Sequence, residues 1–142
     1  PFLIEHSGLN SGFMIPQYVS ASLASENKVL AHPSCVDSIP TSANQEDHVS
    51  MGGYSARKAV TILDNVRKIV AVELLTGAQA LEFSLKDLRP GKGTGAAHAC
   101  IRSAIPFLRH DEFLHPLIER ALDLTRRGAV LEAAEAEIGA LA

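Results

Sequence analysis

From about Asp47 to Phe83 an apolar seam repeats: Leu63, Val66, Val70, Leu74, Gly77 and Leu81 stand 3, 4, 4, 3 and 4 residues apart. That near-heptad spacing predicts one long helix of a bundle. Arg57, Lys58, Asp64, Arg67 and Lys68 fall on its flanking, wetter faces. Roughly 37 residues at 1.5 Å rise make a rod of about 55 Å. A globule of 142 residues covers such a rod poorly, so the helix is expected to need others, from sequence outside this chain or from other subunits.

The rest of the chain reads as shorter helices and loops. Residues 1–12 are rich in Gly, Ser and Asn and predict a loop. Residues 13–30 favour helix, with Pro16 suited to its first turn. Residues 31–46, with Pro33 and Pro40, predict a long ordered loop. The Gly-rich stretch 88–95 reads as a linker, and helices resume at about 96–109, 113–127 and 129–138. Gly128, after Arg126 and Arg127, is placed as a helix stop. No stretch alternates at period two for long, so the fold class is all-α.

Composition bounds the function. The net charge of −3 opposes broad binding to nucleic acid or to a membrane surface, both of which usually need a basic patch. No apolar run approaches the roughly 20 residues of a membrane span. Cys35 and Cys100 are far apart, without metal-type spacing, and are expected to be free thiols of a cytoplasmic protein. The chain opens on Pro-Phe-Leu-Ile without a Met or a signal-peptide pattern, which suggests a piece of a longer chain.

Four features could carry chemistry. The stretch Thr41-Ser-Ala-Asn-Gln-Glu-Asp-His48 crowds amides, carboxylates and an imidazole before the long helix. Thr41, Asn44 or Asp47 could cap that helix, and Glu46 or Asp47 would suit its positive end. Capping leaves Gln45, Glu46 and His48 unexplained, and a carboxylate there could bind a cationic ring or move a proton. Cys35 with His32 could be a nucleophile and base, but a packed loop thiol is the simpler reading. The histidines His6, His32, His48, His98, His110 and His115 show no metal-ligand spacing, so no metal is expected. Gly91-Lys-Gly-Thr-Gly95 resembles a phosphate loop only in composition and is read as a flexible linker.

At Asn10-Ser-Gly-Phe-Met-Ile15, Ser25-Glu-Asn-Lys-Val-Leu30 and the run from His32 through Ser-Ala-Asn-Gln-Glu-Asp-His48 to Gly52, the chain closely resembles the histidine ammonia-lyases of the aromatic amino acid lyase family. Arg57-Lys58-Ala59, Val70-Ala-Val-Glu-Leu-Leu75 and Gln79-Ala-Leu81 continue the match. The likeness is strong over residues 1–83 and looser over 84–142. It implies a central helical-bundle segment, 1–83, carrying an active-site loop at 31–48, then a C-terminal helical tail, 84–142.

The resemblance implies an enzyme that removes ammonia from L-histidine to give urocanate. It also implies a homotetramer whose sites combine residues of several subunits, and a methylidene-imidazolone (MIO) electrophile built from an internal Ala-Ser-Gly. Glu46 matches the family's active-site glutamate and is the candidate catalytic residue. Gln45 matches a pocket-lining position. Met14 matches a substrate-binding position where relatives acting on phenylalanine carry a charged residue, and a methionine there equally suits core packing. No Ala-Ser-Gly occurs in this sequence, and Tyr18 and Tyr54 do not stand at the family's catalytic tyrosine motifs. Gly53-Tyr54-Ser55 departs from the family's small aliphatic run. The piece alone is therefore expected to be inactive. A related phenylalanine or tyrosine ammonia-lyase or aminomutase, and a helical assembly module with no catalytic part, are the alternatives.

Overall fold

The computed structural model describes residues 2–36, 38–85 and 88–141. Among the described residues five helices carry the fold: α1 (Met14–Leu30), α2 (Gly52–Ser84), α3 (Lys92–Ala104), α4 (His115–Arg126) and α5 (Ala129–Ile138). A short 3₁₀ turn, Ser42–Asn44, lies in the loop between α1 and α2. Among the described residues there is no β-strand, only two isolated bridges. No described helix is long and apolar enough to cross a membrane.

The 33-residue α2 is the spine, about 50 Å long. Helices α1 and α4 pack along it, while α3 and α5 pack on each other. The core joins Ala71, Leu75 and Ala78 of α2 to Ile101, Ile105, Leu108, Leu117, Ala121 and Leu122, with Ile4 and Phe13 closing it from the N-terminal segment. Each leucine so buried contributes about 2 kcal/mol by removal of apolar surface from water.

Polar side chains fix the register of these helices. Asn65, buried on α2, donates to Glu26 Oε2 at 2.8 Å and to Asn27 Oδ1 at 3.0 Å, tying α1 to the spine. Gln79 is fully buried. Its Nε2 donates to the carbonyls of Leu3 (3.1 Å) and Leu108 (2.7 Å), and its Oε1 accepts from Leu108 N and Arg102 Nη2, each at 3.2 Å. One amide thus joins the N-terminal segment, α2, α3 and the chain beyond α3. Arg102 also meets Glu82 at 2.6 Å, and His98 meets the same carboxylate oxygen at 3.0 Å.

Sequence expectations hold for α1, α4 and α5 to within a residue or two. Pro16 sits in the first turn of α1, and Gly128 takes φ +71° between α4 and α5. Cys35 and Cys100 are free thiols. Three expectations are corrected.

The long helix starts at Gly52, not at Asp47, and its N-cap is Met51. The Ser38 hydroxyl accepts from Val49 N at 2.8 Å, which holds the preceding residues in the loop. Thr41, Asn44 and Asp47 therefore do not cap α2.

The buried stripe of α2 runs through Asn65, Val72, Leu75 and Gln79, with Ala71 and Ala78 beside it. The seam read from the sequence lies to one side: Leu63 is 50% and Val66 41% exposed, while Val70, Leu74 and Leu81 are half-buried. Leu63 and Val66 are the part of that seam left over after packing within this chain.

The stretch Gly91–Gly95 is no linker: α3 begins at Lys92, so Gly93 and Gly95 are helical. A β-carbon at Gly93 would lie 2.8 Å from Ile138 Cδ1. The glycine is a close-approach point between α3 and α5. The helix stops at Ala104, two residues before Pro106, with Ile105 extended as a residue before proline prefers.

Candidate functional site

The loop between α1 and α2 is tied down at three levels. Near its start, Lys58 of α2 donates its ammonium to the carbonyl of His32 and lies 3.4 Å from Ser34 Oγ. Further along, Ser38 and Val49 exchange hydrogen bonds, with Val49 N reaching Ser38 Oγ at 2.8 Å. At the tip, Thr41 N donates to Glu46 O at 3.0 Å and Glu46 N to Thr41 O at 3.4 Å. These ties hold a loop of Pro, Ser and polar residues in one shape without an apolar core of its own.

The tip is a tight left-handed turn. Ser42, Ala43 and Asn44 take φ values of 53°, 56° and 69°. Each non-glycine residue there costs roughly 1–2 kcal/mol, least for Asn. Such strain persists where the surroundings fix it and concentrates at functional sites.

That turn presents Glu46. Its Oε2 accepts the Thr41 hydroxyl at 2.6 Å and the Ser42 hydroxyl at 3.1 Å. Its Oε1 has no hydrogen bond among the described residues. The Thr41 hydroxyl, then that of Ser42, holds the carboxyl below the usual carboxylate range, against a smaller opposing effect of desolvation. The side chain is therefore an ionised acceptor at neutral pH, with one oxygen anchored and the other open, on an exposed surface. It can orient an N–H of a cationic or neutral ring by a charge-assisted hydrogen bond.

Gln45 is on the same exposed turn, its backbone N–H donating to Ser42 O at 3.2 Å. Met14 stands elsewhere, as the first residue of α1, and is 36% exposed. Gln45 and Glu46 are thus brought together, while Met14 is presented by a separate element. His32 and Cys35 are both exposed and share no hydrogen bond among the described residues. Among the described residues no cluster of three or more His, Cys, Asp or Glu side chains could hold a metal ion.

Sequence reasoning missed the two hydroxyls that govern Glu46. Their spacing, four and five residues before the carboxylate, was the available signal, but only the left-handed turn brings both to one oxygen. A cavity of about 570 Å³ lies between α1, α2 and residues 108–119, lined by Phe13, Val19, Leu23, Val72, Leu108 and Ile118 among others. Neither Met14, Gln45 nor Glu46 lines it.

Residues 1–103 match the family model of the aromatic amino acid lyases. Over 140 residues the chain is 54% identical to the histidine ammonia-lyase of Gloeobacter violaceus, covering 99% of this chain and 27% of that relative. It superposes on the crystal structure of histidine ammonia-lyase from Trypanosoma cruzi with a TM-score of 0.90 at 44% identity, covering 96% of this chain and 27% of the other. A tyrosine aminomutase from Streptomyces globisporus gives a TM-score of 0.87 at 36% identity, over 96% of this chain and 26% of the other. The chain, which spans about 27% of the length of the curated relatives it matches, belongs to the aromatic amino acid lyase family.

Proposed function

We propose that this chain is the C-terminal part of a histidine ammonia-lyase, an enzyme that eliminates ammonia from L-histidine to give urocanate. The observation that carries the reading is the 54% identity to a relative of that name over nearly the whole chain. In this reading residues 1–83 bring the active-site loop 31–48 and residues 84–142 form a helical tail. The partners are the remaining polypeptide and the other subunits of a cytoplasmic homotetramer.

Glu46 is the residue of this chain that acts on the substrate. Its open Oε1 accepts an N–H of the histidine imidazole while Thr41 and Ser42 keep Oε2 fixed. A carboxyl held below its usual range is a dependable anion and a weak base, which favours orienting the ring over storing a proton. Gln45 and Met14 line the pocket around the ring, Met14 by an apolar contact.

The family's MIO ring supplies an electrophile for the substrate. The Ala-Ser-Gly run from which it is made is absent from this sequence, and the tip of the loop offers hydroxyls and a carboxylate for a ligand, not the makings of the ring. In this reading the ring comes from sequence outside this chain, and the chain by itself has no lyase activity.

A second reading has its own support: the match to a tyrosine aminomutase at TM-score 0.87 means that the fold of this segment does not separate the substrates. The test is a substrate panel on the full-length enzyme that contains this segment. Release of ammonia and urocanate from histidine, with at least about 100-fold lower kcat/KM on tyrosine and phenylalanine, supports the histidine assignment. Preference for tyrosine or phenylalanine overturns it.

A further inference from the structure

We infer that Asp111 is a positioning residue of the substrate pocket, acting through the turn that delivers Met14. The inference rests on the proposed role of Met14 as a pocket residue.

Asp111 lies between α3 and α4, some 100 residues along the chain from the groups it holds. Its Oδ2 accepts Ser11 N at 2.7 Å and its Oδ1 accepts Gly12 N at 2.7 Å. Its own N–H donates to Asn10 Oδ1 at 3.1 Å. Asn10 in turn donates through Nδ2 to Glu5 O at 3.0 Å. Three consecutive residues, Asn10, Ser11 and Gly12, are therefore fixed by one aspartate, with both carboxylate oxygens in use.

The residues just beyond this turn have little freedom of their own. Ser11 O accepts Met14 N at 3.4 Å, and Phe13 N donates to Phe2 O at 2.9 Å. Phe13 is buried in the core. Gly12 takes φ +56°, and a β-carbon on it would stand 2.4 Å from Phe2 O. The inner side of the turn is thus set by packing, and its outer N–H groups by Asp111. Together they set the starting point and direction of α1, whose first residue is Met14. Charge-assisted bonds to backbone N–H groups are strong enough to hold such a turn, and small displacements of a positioning group are magnified in catalysis.

A mere staple of the fold would show in stability alone; a positioning residue shows in KM and through Met14. The test uses the full-length enzyme with Asp111→Asn, Asp111→Glu, Met14→Ala and the paired substitutions, reading KM and kcat for histidine together with the thermal midpoint. Asp111→Asn keeps the shape but sets an NH₂ against a backbone N–H. It is expected to raise KM about tenfold, with kcat changed less than about threefold. Asp111→Glu, which keeps two acceptor oxygens, is expected to raise KM about threefold. In the Met14→Ala background each rise is expected to shrink to less than about twofold, since coupled residues are not additive.

Unchanged KM in a folded Asp111 variant overturns the inference and leaves the functional reading intact. So does a KM rise of the same size with and without Met14. If Asp111→Asn does not assemble, Asp111→Glu decides between the same outcomes. If the unsubstituted full-length enzyme forms no urocanate, the functional reading fails, and this inference fails with it.

Discussion

Thr41 is hydrogen-bonded to Glu46 three times: backbone to backbone in both directions, at 3.0 and 3.4 Å, and hydroxyl to carboxylate at 2.6 Å. The backbone pair closes the left-handed turn, and the side-chain bond lowers the pKa of the carboxyl it presents. Shape and electrostatics of the candidate site therefore both run through Thr41.

Thr41→Val should raise the pKa of Glu46, because the hydroxyl is the largest cause of its depression. In the full-length enzyme the acidic limb of the pH–rate profile should move to higher pH, while Thr41→Ser should keep it in place. The sign for stability comes from the same shift. A carboxyl whose folded pKa is lowered stabilises the fold above its ordinary pKa, and that contribution is lost as pH falls through the lowered value. Thr41→Val should therefore reduce the loss of loop order on acidification, measured by hydrogen exchange of residues 41–46 as a function of pH.

Gln79→Leu should destabilise the protein by about 3 kcal/mol, read by equilibrium urea denaturation. The side chains are similar in size, so the loss comes from polar groups. The N–H and C=O of Leu108 and the C=O of Leu3 would lose their partner, as would one arm of Arg102. A change within about 0.5 kcal/mol would mean that the amide is not the hub described.

Two glycines should respond to alanine very differently. Gly12→Ala places a β-carbon 2.4 Å from a backbone oxygen at φ +56°, and it should cost more than about 3 kcal/mol. Gly93→Ala meets only the end of Ile138, a half-exposed side chain free to rotate. It should fall within about 1 kcal/mol of neutral, since alanine recovers helix propensity. Combined with Ile138→Ala, relative to Ile138→Ala alone, it should stabilise. Thermal midpoints of the four variants check this.

The periodicity, Pro16 and Gly128 made α1, α4 and α5 legible because caps and breakers act locally. The start of α2 was not legible: Asp47, His48 and Ser50 have polar side chains fit for a helix start, but the bond from Val49 to Ser38 competes for that backbone. Nor was the buried face of α2. The large residues Leu63 and Val66 mark a heptad, yet this chain packs the smaller Ala71 and Ala78 with Leu75 against its own helices. Gly93 read as a linker because its partner, Ile138, is 45 residues away. Glu46 stood out only as one of several polar residues, and the family resemblance singled it out. Its hydroxyl partners, and the reach of Asp111 to Ser11, depend on tertiary geometry that no local pattern encodes.

The exposed flank of α2 should make the isolated chain self-associate. Val60, Leu63 and Val66 are 70%, 50% and 41% exposed along that helix, an apolar surface that water disfavours. Sedimentation velocity should show oligomers or aggregates for the unsubstituted chain. The double variant Leu63→Glu with Val66→Lys should shift it to monomer; a stable monomer without these changes would contradict the expectation.

The most direct measurement is urocanate formation by the full-length enzyme carrying Glu46→Gln, with assembly and the MIO ring checked independently. Glutamine keeps the length and one acceptor oxygen but removes the charge. A fall in kcat/KM for histidine of at least about 100-fold is expected if this carboxylate orients the imidazole in the transition state. Activity within about twofold of the unsubstituted enzyme would show that the turn at Thr41–Glu46 presents its carboxylate to something other than the substrate.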